Sequence, residues 1–257
     1  MPKISACIIS FNEEKKIEDC LKSLQPVVDE IIVVDSLSTD KTLEIVAKYT
    51  DKIYHQKFLG HVEQKNLAVS KAGFEWVLSL DCDERLSTQL QESIKAVKNR
   101  LSEYDAYKMP RKTFYVYRWL NHCWYPDKKV RLFNKNKAKW GGTNPHDKVM
   151  VASDRIQELN GDILHYSFDS ISAHILTLDK FTEIGAQEII KKGKNVGLLS
   201  PLIHAKWTFI RLYFLRLGFL DGFAGFVVSI LSFMHAFVKY SKVIFYQRIK
   251  NNEPSKK

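Results

Sequence analysis

Apolar residues along this chain fall into short continuous runs and helically spaced stripes, and the two kinds alternate. Ile4 to Ser10 is a run of β-branched and small residues, the pattern of a strand buried on both faces. Ile17, Leu21 and Leu24 then recur at helical spacing up to Pro26, with Asn12 as the expected N-cap. Glu30 to Asp35 reads as a second strand, Thr42 to Tyr49 as a second helix, and Lys52 to Gln56 as a weaker third strand. A helix from Val62 to Ala72 closes at Gly73, and Glu75 to Leu80 is a fourth strand running straight into Asp81. Thr88 and Gln91 form a capping box for a helix reaching Asn99.

Repeated strand–helix–strand units predict a parallel sheet with right-handed crossovers, whose ligands bind beyond the carboxyl ends of the strands. The polar clusters sit at those ends: Ser10-Phe11-Asn12-Glu13, Asp35-Ser36 and Asp81-Cys82-Asp83-Glu84 each follow a strand. Separate strands therefore deliver carboxylate and amide groups to one rim. From Tyr104 to Tyr166 aromatic and basic residues mix, with strands expected at Ala106 to Val116, Val130 to Asn134 and Asp162 to Tyr166. Gly141 to Pro145 reads as a loop, followed by His146-Asp147. Ser170 to Lys192 carries Ile171, Ile175, Leu178, Phe181 and Ile184 in helical register, and the polar tail Asn251 to Lys257 is expected to be disordered.

Composition narrows the class. The 257 residues are 45% hydrophobic and 26% charged, as in a folded globular protein. Lys+Arg 39 against Asp+Glu 29 leaves a net charge of +10, which suits an anionic partner: nucleic acid, a phosphorylated metabolite or a membrane surface. Cys7, Cys20, Cys82 and Cys123 form no CxxC pair and read as reduced thiols. The N-terminus has no secretory pattern, so the expected compartment is the cytoplasm. A nucleic-acid binder would concentrate its cations in one stripe, whereas here they spread through both halves. A nucleotidyltransferase would want a Gly-rich basic loop after the first strand, and SFNEEKK has no glycine.

Asp81-x-Asp83 offers hard oxygen ligands to a divalent cation. An isolated DxD is more often a solvated loop or a helix cap, but this one sits at a strand end beside other strand-end carboxylates. Taken in order, IISFNEE, EIIVVDSLSTDKT and EWVLSLDCDE resemble glycosyltransferase family 2, over Ile4 to Arg85. A looser likeness over Lys129 to Lys180, with VRLFNK, WGGTNPHDKV and ILHYSF, is to the subgroup of lipopolysaccharide core β-glucosyltransferases.

The resemblance implies an α/β protein of GT-A fold, with a mixed, mostly parallel sheet flanked by helices. It implies that Ser10, Asn12 and Glu13 line the nucleotide pocket, that Asp35 accepts a hydrogen bond from uracil, and that Asp81 faces ribose or metal. Asp83 would ligate Mn²⁺ or Mg²⁺, and His165 would be a further ligand that favours Mn²⁺. Asp147 would be the catalytic base of an inverting transfer, with the role of His146 open. Lys129 and Arg131 either steer the diphosphate or are solvated strand edges. No QxxRW follows Asp147, which points to transfer of a single sugar. The expected substrates are a UDP-hexose, glucose first, and a lipid-linked saccharide acceptor such as lipopolysaccharide core; a catalytically silent sugar-nucleotide binder is the alternative.

The last part of the chain differs again. Leu217 to Val238 is long enough to cross a bilayer, yet Asp221, Gly218, Gly222 and Gly225 lie within it. Arg211 and Arg216 precede it, and Lys239, Lys242, Arg248 and Lys250 follow. Cations at both ends set no orientation, so the expectation is an interfacial hydrophobic and basic helical appendage on an anionic membrane surface. A packing element and a span are the alternatives. The expected organisation is a catalytic domain over 1–200, the appendage over 201–250 and a tail over 251–257, peripheral on the cytoplasmic face of the inner membrane.

Overall fold

A computed structural model of the chain describes residues 1–143 and 146–252. It divides into two compact units, Met1–Thr113 with Pro126–Ser167, and Phe114–Tyr125 with Phe168 onward. The expected boundary at residue 200 falls inside the second unit. The reason is that the helix over Ile171–Lys191 is tied to the long helix over Gly222–Asn252 through Lys242, which pairs with Asp179 and Glu183.

The first unit is built on the expected alternation. Strands β1 (Ile4–Ser10), β2 (Glu30–Asp35), β3 (Ile53–His55) and β4 (Trp76–Asp81) pair in parallel, in the order β3-β2-β1-β4. Helices α1 (Ile17–Leu24), α2 (Thr42–Val46) and α3 (His61–Ser70) connect them, and α4 (Thr88–Val97) follows the last. The apolar side chains of β1, β2 and β4 alternate between two cores. One holds Ile4, Ile8, Leu78 and Leu80 against α1 and α4, and the other holds Cys7, Ile32, Val34 and Val77 against α3. That is why these strands read as continuous apolar runs.

Three local expectations are corrected. Asn12 caps no helix, since α1 begins at Ile17 after Lys16 with no side-chain cap. It adopts φ 52°, and its carboxamide oxygen accepts from the Thr39 backbone N–H at 2.8 Å, joining two loops. The cap of α4 is Ser87, which accepts from the Leu90 N–H, one residue ahead of the proposed capping box. Gly141 and Gly142 lie within a strand, because a hairpin of β9 (Ala138–Thr143) and β10 (His146–Val151) forms where a loop was expected. Asn144 and Pro145 lie outside the described residues, as do the side chain of His146 and the tail from 253.

The remaining strands make the sheet mixed. β8 (Asp127–Asn134) runs antiparallel to β4, and β6 (Ala106–Tyr115) runs antiparallel to β8. β11 (Ile156–Glu158) adds to β6 in parallel. A short strand missed in the sequence, β5 (Glu84–Leu86), pairs antiparallel with β12 (Ile163–Phe168) and sets His165 opposite Glu84.

The second unit is helical, with a two-residue strand β7 (Arg118–Trp119) that pairs with the Phe114–Tyr115 end of β6. Helix α5 (Ile171–Lys191) begins at Ser170, whose hydroxyl accepts from the Ala173 N–H. Helix α6 (Ser200–Phe209) runs on through a π-helical turn (Ile210–Leu215), the left-handed Leu217 and a 3₁₀ turn (Gly218–Asp221) into α7 (Gly222–Asn252). Lys242 on α7 pairs with Asp179 and Glu183 of α5, at 3.0 and 3.3 Å, and Tyr246 bonds Glu183. His204 of α6 stacks on Tyr240 of α7 at 4.0 Å.

The glycines and the acid that spoil the apolar stretch as a uniform span shape its turn instead. Gly222 has φ 62°, and a Cβ on Gly225 would collide with the Gly218 carbonyl oxygen. Asp221 is fully buried and accepts from the backbone N–H groups of Asn121, His122 and Cys123 at 2.8–3.0 Å. All four cysteines are free and buried. Burial pushes each thiol up, to about 12 for Cys123, so they pack as neutral groups.

Candidate active site

The first unit buries an unusual amount of charge at the rim where β4 ends. Glu84 is fully buried and Arg131 nearly so. From Asp127 the ion pairs run without a break: Arg111 (2.7 Å), Glu84 (3.1 Å), Arg131 (2.8 Å), Asp81 (3.0 Å), Lys65 (2.8 Å) and Asp147 (2.7 Å). Charges of opposite sign alternate along the whole row, so each ion offsets the desolvation of its neighbours. Burial alone would raise the Asp81 carboxyl, but the Lys65 ammonium and the Arg131 guanidinium outweigh it and hold Asp81 far below the usual range. Glu84 is also lowered, with burial and Asp81 opposing Arg131 and Arg111. The partners raise Arg131 in turn, against its own burial. Asp81, Glu84 and Arg131 are therefore held in their charged forms by the company they keep.

Sequence reasoning missed Lys65 and Arg111 and gave Arg131 other roles. Arg131 is neither a solvated edge nor a group available for diphosphate, since Asp81 and Glu84 engage it, and Lys129 pairs with Asp127 at 3.1 Å. Lys65 belongs to a polar triplet on α3. Gln64 donates to the Ser36 hydroxyl and the Gln56 carbonyl, at 3.1 and 3.2 Å. Asn66 donates to the Trp140 carbonyl at 3.0 Å and accepts from the Trp140 N–H at 3.1 Å. The available signal is that Gln64 and Lys65 take buried positions beside Ala68 and Val69, so α3 lacks the clean apolar face of α1. The Trp140 ring lies under both Lys65, at 4.3 Å, and Arg131, at 5.1 Å.

The structure brings the sequence-predicted residues together in three groups. Asp81 and Asp147 share Lys65. Asp83 Oδ2 stands 3.3 Å from His165 Nε2, a meeting made by the β5–β12 pairing and by the Tyr166 N–H donating to the Asp83 carbonyl at 2.9 Å. At the end of β1, the Ser10 hydroxyl donates to Asp35 Oδ1 at 2.8 Å, and Ser38 donates to both Asp35 oxygens. Asp35 is fully buried. Asn12 holds the loop after β2, and the Glu13 N–H donates to the Thr42 hydroxyl at 2.8 Å. The two loops that would frame a nucleotide are thus zipped to each other.

The donor set at Asp83 and His165 suits a divalent cation, with one hard oxygen and one imidazole nitrogen facing each other across a contact distance. The other ring nitrogen, His165 Nδ1, is buried without a hydrogen-bond partner among the described residues. No group of three His, Cys, Asp or Glu surrounds a common point among the described residues. A cation there would draw its remaining ligands from substrate oxygens and water.

A mixed sheet whose parallel half carries acids along its carboxyl rim is the GT-A-type arrangement. Residues 5–151 match the family described as Glycosyl transferase family 2, and the chain belongs to that family. It is 33% identical over 254 residues to an uncharacterized glycosyltransferase of Rickettsia typhi, covering 95% of this chain and 87% of that one. It is 26% identical over 257 residues to the lipopolysaccharide core biosynthesis glycosyltransferase LpsC of Rhizobium meliloti, covering 96% and 94%. The crystal structure of S. aureus TarS 1-349 aligns over 97% of this chain and 88% of that chain, with TM-score 0.47 and 18% identity.

Proposed function

We propose that this glycosyltransferase is an inverting, metal-dependent, single-addition enzyme that moves a hexose, glucose first, from a UDP-sugar to a lipid-linked saccharide such as lipopolysaccharide core. The observation that carries the reading is the grouping of Asp83 with His165 and of Asp81 with Asp147 through one shared lysine. The name of LpsC supports the acceptor class. A divalent cation held by Asp83 and His165 would neutralise the charge that grows on the leaving diphosphate. Asp81 faces the ribose side of the nucleotide, with Ser10, Asn12, Glu13 and Asp35 forming the uridine end of the pocket. The acceptor hydroxyl attacks the anomeric carbon from the face opposite the phosphate. As that bond forms, the bond to the diphosphate breaks and its electron pair leaves on UDP. The hydroxyl proton passes to Asp147, which needs only a carboxylate oxygen within hydrogen-bond reach.

The second unit supports work at a membrane surface. The stretch Gly218–Ile249 is long and apolar enough, by length and composition, to cross a membrane. Its turn and the facing helix expose Trp207 (55%), Phe214, Leu215, Phe219 and Phe223 (69%), among the exposed cations Lys206, Arg211 and Arg216. Aromatic groups beside cations fit the interface of an anionic bilayer, the cytoplasmic face of the inner membrane in this reading. Lys242 does not join them, because Asp179 and Glu183 engage it.

The test is a panel of UDP-glucose, UDP-galactose, UDP-N-acetylglucosamine and GDP-mannose with Mn²⁺, Mg²⁺ or EDTA, followed by thermal unfolding. UDP-glucose with Mn²⁺ should protect most. Asp83→Asn should keep the native melting temperature and lose the cation-dependent share of UDP binding. Equal UDP affinity with Mn²⁺ and with EDTA in the unaltered enzyme removes the metal from the mechanism.

A further inference from the structure

The hairpin that carries Asp147 stands apart from the ten-stranded sheet, as a sheet of β9 and β10 alone. Helix α3 grips it at adjacent residues. Asn66 makes a two-point amide clamp on the backbone of Trp140 in β9. Lys65 reaches across the Trp140 ring to Asp147 Oδ2 in β10 at 2.7 Å, while a second N–H goes to Asp81 Oδ1 at 2.8 Å. Asp81 is itself fixed from behind by Arg131 and Glu84.

We propose that Lys65 is the positioning residue of the transfer step: it ties Asp147 to the nucleotide-side carboxylate Asp81, so that one Asp147 oxygen is held and the other is aimed at the acceptor hydroxyl. The proposal rests on the reading of Asp147 as the base. A lysine ammonium is suited to this work because it has three donors on one atom, enough to bridge two carboxylates that belong to different sheets. Asn66 fixes the height of the hairpin and Lys65 its lateral place, so neighbouring residues on one turn of α3 set the geometry of the reacting pair. In the reaction Lys65 exchanges no proton. The acceptor O–H proton moves to Asp147 Oδ1 while Oδ2 stays bonded to the ammonium. The bridge also explains a costly choice. A nearly fully buried lysine carries a desolvation penalty that its two carboxylate partners offset.

The test uses the full chain and four variants: Lys65→Met, Lys65→Arg, Asp147→Asn and the Lys65→Met/Asp147→Asn double. UDP affinity with Mn²⁺, the release of UDP from UDP-glucose at saturation, and amide exchange in β9 and β10 are measured for each. Lys65→Met should lower the saturated rate by roughly 10²-fold, the cost of a misplaced reacting group, while UDP affinity changes by less than about threefold. Lys65→Arg, whose fork can still span both carboxylates, should recover most of that rate. Placed on Asp147→Asn, the methionine should cost little more, because the group it positions is already disabled. Exchange in β10 should rise in Lys65→Met and in Asp147→Asn alike, a readout that needs no turnover.

Lost UDP affinity with an unchanged saturated rate makes Lys65 a nucleotide ligand and overturns the proposal. So do rate losses that multiply in the double variant, or β10 exchange that Lys65→Met leaves unmoved. If Asp147→Asn turns over normally, the base reading fails and the positioning proposal with it. If Asp147→Asn is inactive while Lys65→Met is not, only the positioning proposal fails.

Discussion

The two units break the usual burial rule in opposite directions. The first places charge inside, where Glu84 and Arg131 are hidden, while the second places aromatic and aliphatic groups outside along α6 and α7. Each inversion is costly for folding alone, which points to a use beyond stability in each unit. Their buried acids differ as well. Glu84 is balanced by the guanidiniums of Arg111 and Arg131, so it belongs to a long electrostatic row. Asp221 is balanced by three peptide N–H groups of one short segment, so its effect stays local. A carboxylate held by ions passes its loss along the row; one held by peptides does not.

The sharpest way to break this contrast is Glu84→Gln, which keeps shape and removes the charge between two arginines. The variant should lose about 3–5 kcal/mol in urea unfolding of the full chain, the cost of breaking a buried ion network from one side. A loss below about 1 kcal/mol would show that Asp81 and Asp127 can balance the arginines unaided, and that the row is not a unit.

Asp221→Asn gives the matched measurement in the second unit. One oxygen still accepts, so the expected loss is about 1–3 kcal/mol, with UDP binding unchanged. An effect on UDP affinity as large as that of Asp83→Asn would contradict its local character.

The exposed apolar surface is tested with its cations. The full chain should float with phosphatidylglycerol vesicles and partly release at high salt. Arg211→Gln with Arg216→Gln should weaken that partition by about 1 kcal/mol for each cation removed. If the full chain does not float with these vesicles, the surface belongs to a protein contact. If only detergent extracts the protein, the segment spans the bilayer.

A pH-dependent contribution comes from His174, buried against Tyr115 in the second unit, with a 3.0 Å contact between its Nδ1 and the Tyr115 hydroxyl. Burial lowers its pKa from 6.5 to about 4. A histidine depressed in the folded state takes up its proton more readily when unfolded, so stability should fall as pH drops from about 6.5 to about 4. Thermal melting of His174→Gln should be flatter over that window than melting of the unaltered chain.

The parallel core was legible because β1, β2 and β4 are apolar on both faces and each ends in a polar cluster. Periodicity and strand-end position need no partner to be read. Ser10, Asp35, Asp81 and Asp83 stood out for the same reason. Asn12 misled because a short polar residue before a helical stripe suits a cap, while its actual partner, Thr39, lies far along the chain. The β9–β10 hairpin was hidden by Gly141 and Gly142, whose turn-like composition outweighs a strand assignment until a second strand pairs with them.

From sequence alone came the family, the rim of the sheet and the candidate acids, since each rests on local pattern. The tertiary structure alone could decide which of those acids meet. His165 reaches Asp83 because a three-residue strand pairs with β12, and Asp147 reaches Asp81 because α3 sends a lysine between two sheets. Pairing register and the placement of one buried cation are long-range properties, and no local pattern encodes them.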